Sequence, residues 1–157
     1  MGSERTSTER TLVLIKPDGL QRGLVGAIMS RLERKGLKLV GLKLLHMDPA
    51  LARRHYAIHE GKPFFPGLVA FITSSPLVAA VWEGPSAVEV VRRLMGETDP
   101  ARAAPGTIRG DWGLDVGHNL IHGSDSLETA QQEVALFFSA QELLSYPREV
   151  QRWLTGS

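Results

Sequence analysis

Four apolar runs of strand length, at 12–15, 37–45, 77–82 and 120–122, alternate with stretches whose apolar residues recur at helical spacing. This alternation constrains the fold most, because a helix-period pattern cannot settle as a strand, nor a strand pattern as a helix. It calls for helices layered on a sheet, and the unbroken mixing of the two calls for one domain. Leu12-Val13-Leu14-Ile15 reads as a short buried strand closed by Lys16-Pro17-Asp18-Gly19, where proline fixes φ and glycine permits a turn. Leu24, Ile28 and Leu32 share one helical face, and Gly36 ends that helix. In the second strand, Leu37 to Leu45, Lys38 and Lys43 have opposite parity, which predicts a bulge at Gly41. Asp48-Pro49 starts a helix, which must break around Lys62 to Gly67 before a short helix over 68–73. A third strand covers 77–82 and a helix covers Ala87 to Met95. The glycine-rich stretch 96–117 predicts an irregular loop of a length usually tied to function. Leu120-Ile121-His122 is the last strand. Asp125 or Ser126 caps a final helix striped by Leu127, Ala130, Val134 and Phe137. Trp153 and Leu154 are docking residues in the tail 139–157.

A chain of 157 residues fits one ordinary domain, which buries roughly 70% of its unfolded surface without needing disulfides or a structural metal. There is no cysteine, which excludes thiol chemistry and Cys-based zinc sites and fits a cytoplasmic location. Lys and Arg number 18 against 17 Asp and Glu, so no broad field favours nucleic acid or an anionic membrane, and any anion site must be local. No apolar run is long enough to span a bilayer. Gly2 and Thr6 fit an acylation pattern, but a short motif of that kind matches often by chance. Residues 1–9 read as a disordered tail ahead of a domain over 10–157.

The phosphate-binding Gly-Lys loop, the dinucleotide fingerprint and the serine-hydrolase elbow are all missing. His122 stands out instead. It ends an apolar strand just before Gly123-Ser124-Asp125 at a helix start, a place suited to anions. Gly123 leaves room beside it. Glu133, eleven residues on, borders the apolar stripe of the last helix and can turn inward to orient an imidazole. From spacing alone a structural histidine explains the pattern equally well. Lys16 at a buried strand end, with Arg92 and Arg109 flanking the long loop, would supply positive charge; each also reads as a surface cation. Arg22, Arg31, Arg34, Arg53 and Arg54 read as surface charges. His55 and His59 are four apart on an expected helix but lack the zinc-protease glutamate, so they read as surface histidines. His46 and His118 receive no role.

Taken together, ERTLVLIKPDGLQRGLVG, HYAIHEGKPFFPGL, VWEGP, MGETDPARAAPGTIRGD and NLIHGSDS resemble the nucleoside diphosphate kinases, over about Glu9 to Phe138. The resemblance implies an α+β, ferredoxin-like single domain: a four-stranded antiparallel sheet with helices on one face. It implies ping-pong transfer of the γ-phosphate of a nucleoside triphosphate, mainly ATP, to a nucleoside diphosphate through phosphorylated His122. Glu133 would orient that histidine, with Tyr56 and Ser124 in support. Lys16, Arg92, Arg109 and Thr98 would meet phosphate. Asn119 and Lys16 would hold the ribose, and Phe64 and Val116 would flank the base. Stacking scarcely distinguishes bases, so broad nucleotide tolerance follows. Mg2+ would arrive on the nucleotide phosphates, with no protein metal ligands. Trp112 stands where the family usually has Phe. The segment Tyr146 to Leu154 resembles the extension of hexameric members, which favours a homo-hexamer over a tetramer.

Two other readings remain. A nucleotide-binding regulator that lost catalysis would lack the nucleophile, the lysine or an arginine, and all are present. A nucleic-acid-binding protein would carry a basic stripe, which the charge pattern does not supply.

Overall fold

The computed structural model describes residues 7–156, so most of the expected tail lies outside the described residues. Its last three residues, Ser7 to Glu9, do not. Thr8 and Glu9 pair with Pro85 and Gly84, and the first strand, β1 (Thr8–Ile15), starts four residues before the apolar run. Polar residues extend a strand where a partner takes their backbone groups, which an apolar count cannot register.

The remaining strands are β2 (Lys38–Leu45), β3 (Leu77–Pro85) and β4 (Ile121–Gly123). They form one sheet in the order β2-β3-β1-β4, antiparallel throughout. The fold is α+β and ferredoxin-like. Helices cover both faces of the sheet, not one. On the first face α2 (Val25–Lys35) and α5 (Ala87–Met95) bury Ile28, Leu32, Val91 and Met95 against Val13, Ile15, Ala80 and Trp82. On the second, α3 (Pro49–His55), α4 (Phe65–Ile72) and α7 (Leu127–Phe137) bury Ala52, Ile72, Val134 and Phe137 against Leu12, Leu14, Ala79 and Val81. The cause lies in the central strands. Leu12 to Ile15 and Leu77 to Trp82 are apolar and buried without alternation, as a strand covered on both sides requires.

Local chemistry accounts for most boundaries. Gly36 ends α2 at φ 108°, and Asp48 caps α3 by accepting from Leu51 N at 2.8 Å. Ser126, not Asp125, caps α7. The bulge in β2 falls between Leu39 and Gly41, which explains the opposite parity of Lys38 and Lys43. Pro17-Asp18-Gly19 opens a one-turn helix, α1 (Pro17–Gln21), where a bare turn was expected, because Pro at the first position suits a helix start equally well. The long loop likewise holds α6 (Ile108–Trp112), capped by Thr107. The tail runs along β2: Leu144 N donates to Val40 O at 2.9 Å, and Arg148 donates to Leu37 O and Gly36 O. At Gly36 an added Cβ would meet Leu154 Cδ2 at 2.9 Å, so Leu154 lies against the end of α2 although it is still 42% exposed, and Trp153 is 76% exposed and does not dock.

Candidate active site

In the strand register His122 stands opposite Leu14, which puts its side chain on the second face, beneath α7. Glu133 of α7 meets it there. Nε2 of His122 lies 3.0 Å from each carboxylate oxygen of Glu133, and Ser124 Oγ donates to Oε1 at 2.6 Å. Burial pushes the Glu133 carboxyl up, but the hydrogen bond and charge of His122, with that of Ser124, outweigh it and hold the group below its ordinary value. An ionised Glu133 fixes the tautomer: Nε2 carries the proton and Nδ1 keeps its lone pair. The His122 side chain is 25% exposed, so the site is open to a ligand.

Three cations grip the strand that carries this ring. Arg109 is buried in α6 and donates to Asn119 O at 3.1 Å, Gly96 O at 3.2 Å and Ile121 O at 2.6 Å. Arg92 of α5 donates to Gly123 O at 3.2 Å. Lys16 follows β1 and donates through Nζ to Asn119 Oδ1 at 2.7 Å. Burial, then the charge of Arg109, lowers the Lys16 ammonium to about 8, against an opposing pull from Asp18. Burial and then Arg92 lower Arg109 to about 10, so Lys16 and Arg109 both carry their charge at neutral pH. Crowded like charges of this kind mark a place built for an anion. Asn119 Nδ2 donates to Thr98 O at 3.0 Å, tying exposed Thr98 to the same cluster. Leu120, between Asn119 and β4, is buried at φ 76°, a left-handed conformation that costs a non-glycine on the order of 1–3 kcal/mol. Lys16 N donating to Leu120 O (2.9 Å) and Leu120 N donating to Asp18 Oδ2 (3.0 Å) hold it in place.

The other expected site residues are less central. The Tyr56 phenol, just past α3, is raised to about 12 by burial and by Glu133, and stays neutral. Phe64 and Val116 are both about half exposed and present apolar surface to solvent. Gly123 does not open space beside His122. A Cβ there would meet Met95 Sδ at 2.5 Å, so the glycine lets β4 approach α5.

His55 is not a surface residue. Its side chain is 1% exposed, and its Nδ1 lies 3.5 Å from Glu133 Oε2. Nor does it share a helical face with His59, because α3 ends at His55 and a 3-10 turn follows over Ala57–His59. The available signal was its spacing three residues after Ala52, which is fully buried. His118 has partners too: Nδ1 bonds Asp115 Oδ2 at 2.8 Å and the ring meets Phe71 edge-on. Arg31 is not a bare surface charge. It bonds Asp111 Oδ2 at 2.5 Å and Gly106 O at 2.9 Å and lies 4.1 Å from the centre of the Trp112 ring. Arg22 donates to Trp112 O at 2.7 Å. Both fasten α6 and hence Arg109, and the partner Asp111 lies 80 positions from Arg31, beyond any local pattern. Arg34, Arg53 and Arg54 are exposed, as expected.

Ligand-type atoms of His55, His122 and Glu133 lie within 4.8 Å of one another. Geometry alone would suit a transition metal. The carboxylate is already committed to His122 and Ser124, and Lys16 adds positive potential. Within the cluster the hydrogen bonds run from Ser124 and His122 to Glu133, and His55 only packs beside them.

A family profile described as nucleoside diphosphate kinase matches residues 9–143. The nucleoside diphosphate kinase of Thermomicrobium roseum is 58% identical over 148 residues, covering 94% of this chain and 99% of that protein. That of Pelotomaculum thermopropionicum is 59% identical over 146 residues, covering 93% and 98%. Among solved structures, the halophilic nucleoside diphosphate kinase of Halobacterium salinarum in complex with CDP superimposes with a TM-score of 0.92 at 57% identity, covering 94% and 99%. A nucleoside diphosphate kinase family protein of Babesia bovis gives 0.91 at 44% identity, covering 93% and 99%.

Proposed function

Because the chain belongs to the nucleoside diphosphate kinase family, we propose that His122 is the group through which it moves phosphate. The chain is an enzyme that transfers the terminal phosphate of a nucleoside triphosphate to a nucleoside diphosphate. What supports His122 is the pairing of its Nε2 with ionised Glu133 beside three cations anchored on residues 119–123.

Nδ1 attacks the γ-phosphorus in line. The N–P bond forms as the bond to the β,γ-bridging oxygen breaks, and the nucleoside diphosphate leaves with the electron pair. Glu133 balances the positive charge that grows on the ring, and Ser124 and Tyr56 hold its surroundings. Lys16, Arg92 and Arg109, with Thr98, neutralise the equatorial oxygens. A second nucleoside diphosphate then takes the phosphoryl group by the reverse step. Asn119 and Lys16 bind ribose hydroxyls, and Phe64 and Val116 flank the base by stacking, which accepts purines and pyrimidines alike. That the halophilic relative was solved in complex with CDP supports a nucleotide as the ligand.

The family works with magnesium. The proposed phosphate-binding groups, Lys16, Arg92, Arg109 and Thr98, include no carboxylate to hold the ion, so it would arrive with the nucleotide and would help to neutralise the phosphate charge. The domain takes in Thr8 and Glu9 through β1, ahead of the expected start at residue 10, and the segment from Ser139 onward is an extension that meets β2 through Leu144 and Arg148. That extension supports a hexamer over a tetramer, and light scattering would separate the two. Among the described residues no helix is long and apolar enough to cross a membrane, and a cytoplasmic location fits the substrates.

The decisive assay mixes the pure protein with γ-labelled ATP. An acid-labile, alkali-stable label that moves to added GDP is expected, and His122→Ala should abolish it. Label retained in that variant would remove His122 from the role.

A further inference from the structure

We infer that His55 is a positioning residue for phosphate transfer: a buried imidazole that acts through Glu133 to hold the His122 ring in its reactive orientation. This rests on the reading of His122 as the phosphate acceptor.

The ring of His55 is enclosed. It meets His122 edge-on, with centroids 4.8 Å apart at 84°. It packs edge-on against Phe137 at 5.4 Å and lies 4.6 Å from Tyr56. Both of its nitrogens are buried and neither makes a hydrogen bond within ordinary limits. Apolar packing alone does not explain this. Phenylalanine or leucine would fill the same space without leaving two polar atoms in a dry pocket. What an imidazole adds is an N–H dipole beside the carboxylate, since Nδ1 lies 3.5 Å from Glu133 Oε2. Ser124 anchors the other oxygen, Oε1. Ser124 thus holds one oxygen by a hydrogen bond, and the His55 ring closes the side of the other by an electrostatic contact that is longer than a hydrogen bond, so that the carboxylate stays on Nε2 of His122.

The same reasoning explains why the donor is not a cation. A lysine or arginine there would form its own ion pair with Glu133 and draw the carboxylate off His122. His55 remains neutral across the working range: burial first, then the neighbouring His122, lower it to about 3, against an opposing pull from Glu133, with Lys16 and His59 adding to the lowering. The titratable groups facing it are therefore His122 from β4, Glu133 from α7, Lys16 from the end of β1, and Tyr56 and His59 beyond α3. None of them can charge it at neutral pH, so it presents a neutral N–H dipole to Glu133 without competing for the carboxylate.

Two variants test this. H55F keeps the bulk and removes the donor; H55N restores a donor near the Nδ1 position. H55F should lower kcat about ten- to a hundredfold, as loss of an interaction with a charged group does. The nucleotide KM should stay within about twofold, because ground-state binding is untouched. The acid limb of the pH–rate profile should move to higher pH, since Glu133 with one donor fewer binds a proton more readily. H55N should recover most of the rate and return the limb. If phenylalanine prevents folding, the pair H55A and H55N makes the same comparison. The idea is overturned if H55F keeps the wild-type rate and profile, or if H55N is as slow as the donor-less variant. Labelling the wild-type protein separates the two levels. No phosphohistidine at position 122 sinks the reading of the nucleophile, whereas normal labelling with a silent H55F sinks only the role of His55.

Discussion

Replacing Lys16 with alanine perturbs the site at the point where charge and burial meet. Nζ sits 2.7 Å from Asn119 Oδ1 and shares its surroundings with Arg109. A unit charge about 4 Å from a phosphate oxygen contributes roughly 4 kcal/mol at an effective dielectric of about 20. Arg92 and Arg109 remain in the variant and screen part of that loss, leaving about 3–4 kcal/mol in the transition state, or roughly 100- to 1,000-fold in rate. Because burial holds the ammonium near 8 in the ligand-free protein, wild-type kcat/KM should fall as pH rises through about 8. Bound phosphate favours the charged form, so the corresponding limb of kcat should lie at higher pH. Both limbs should vanish in the variant, whose residual activity should be flat there. The stability effect has the opposite sense to the usual salt bridge. A lysine whose pKa is lower in the fold binds fewer protons than the unfolded chain between about 8 and 10.5, so its burial penalty is relieved as pH rises through that window. Lys16→Ala should therefore melt no lower than the wild type at pH 7, with a smaller gain on going to pH 10. Steady-state rates from pH 6 to 10, with melting curves at both ends, decide the matter. A variant within threefold of wild type, or one that keeps the limb near pH 8, refutes the reasoning.

Glu133→Gln should slow turnover about ten- to a hundredfold, since the hydrogen bond to Nε2 loses its charge. The carboxyl is depressed in the fold, so its contribution to stability is complete above the ordinary carboxylate range and is lost as pH falls through the lowered value; the melting temperatures of variant and wild type should converge in acid. Gly110→Ala places a Cβ 2.0 Å from Ala104 O, a backbone atom that can yield only if α6 moves. A destabilisation of about 1–3 kcal/mol is expected in a denaturant melt, with a raised nucleotide KM because Arg109 moves too; an unchanged midpoint and KM would contradict it.

The sequence was most legible where the chain's chemistry is local. Gly36, Asp48, the Ala87 to Met95 helix and the bulge in β2 all announce themselves through residues close by. His122 and Glu133 are eleven apart, and a strand end followed by a capped helix brings them together as expected. The rest depends on contacts made from a distance. Thr8 and Glu9 join a strand because Pro85 and Gly84 receive them. His55 lies 67 positions before His122, and only the closure of α3 over the second face of the sheet makes them neighbours. Arg31 looked like surface charge because Asp111 and Trp112 belong to another part of the molecule.

The three guanidinium hydrogen bonds of Arg109 to main-chain oxygens have a mechanical side. β4 is only three residues long and reaches the sheet through β1 alone, so this arginine is a rivet for the hinge end of a very short lever. On the proposed reading, the arginine that meets phosphate also keeps the strand bearing His122 from wandering. An empty cleft should breathe around residues 119–123 and stiffen when an anion fills it, a difference that amide exchange would register as slowed solvent access along that ribbon.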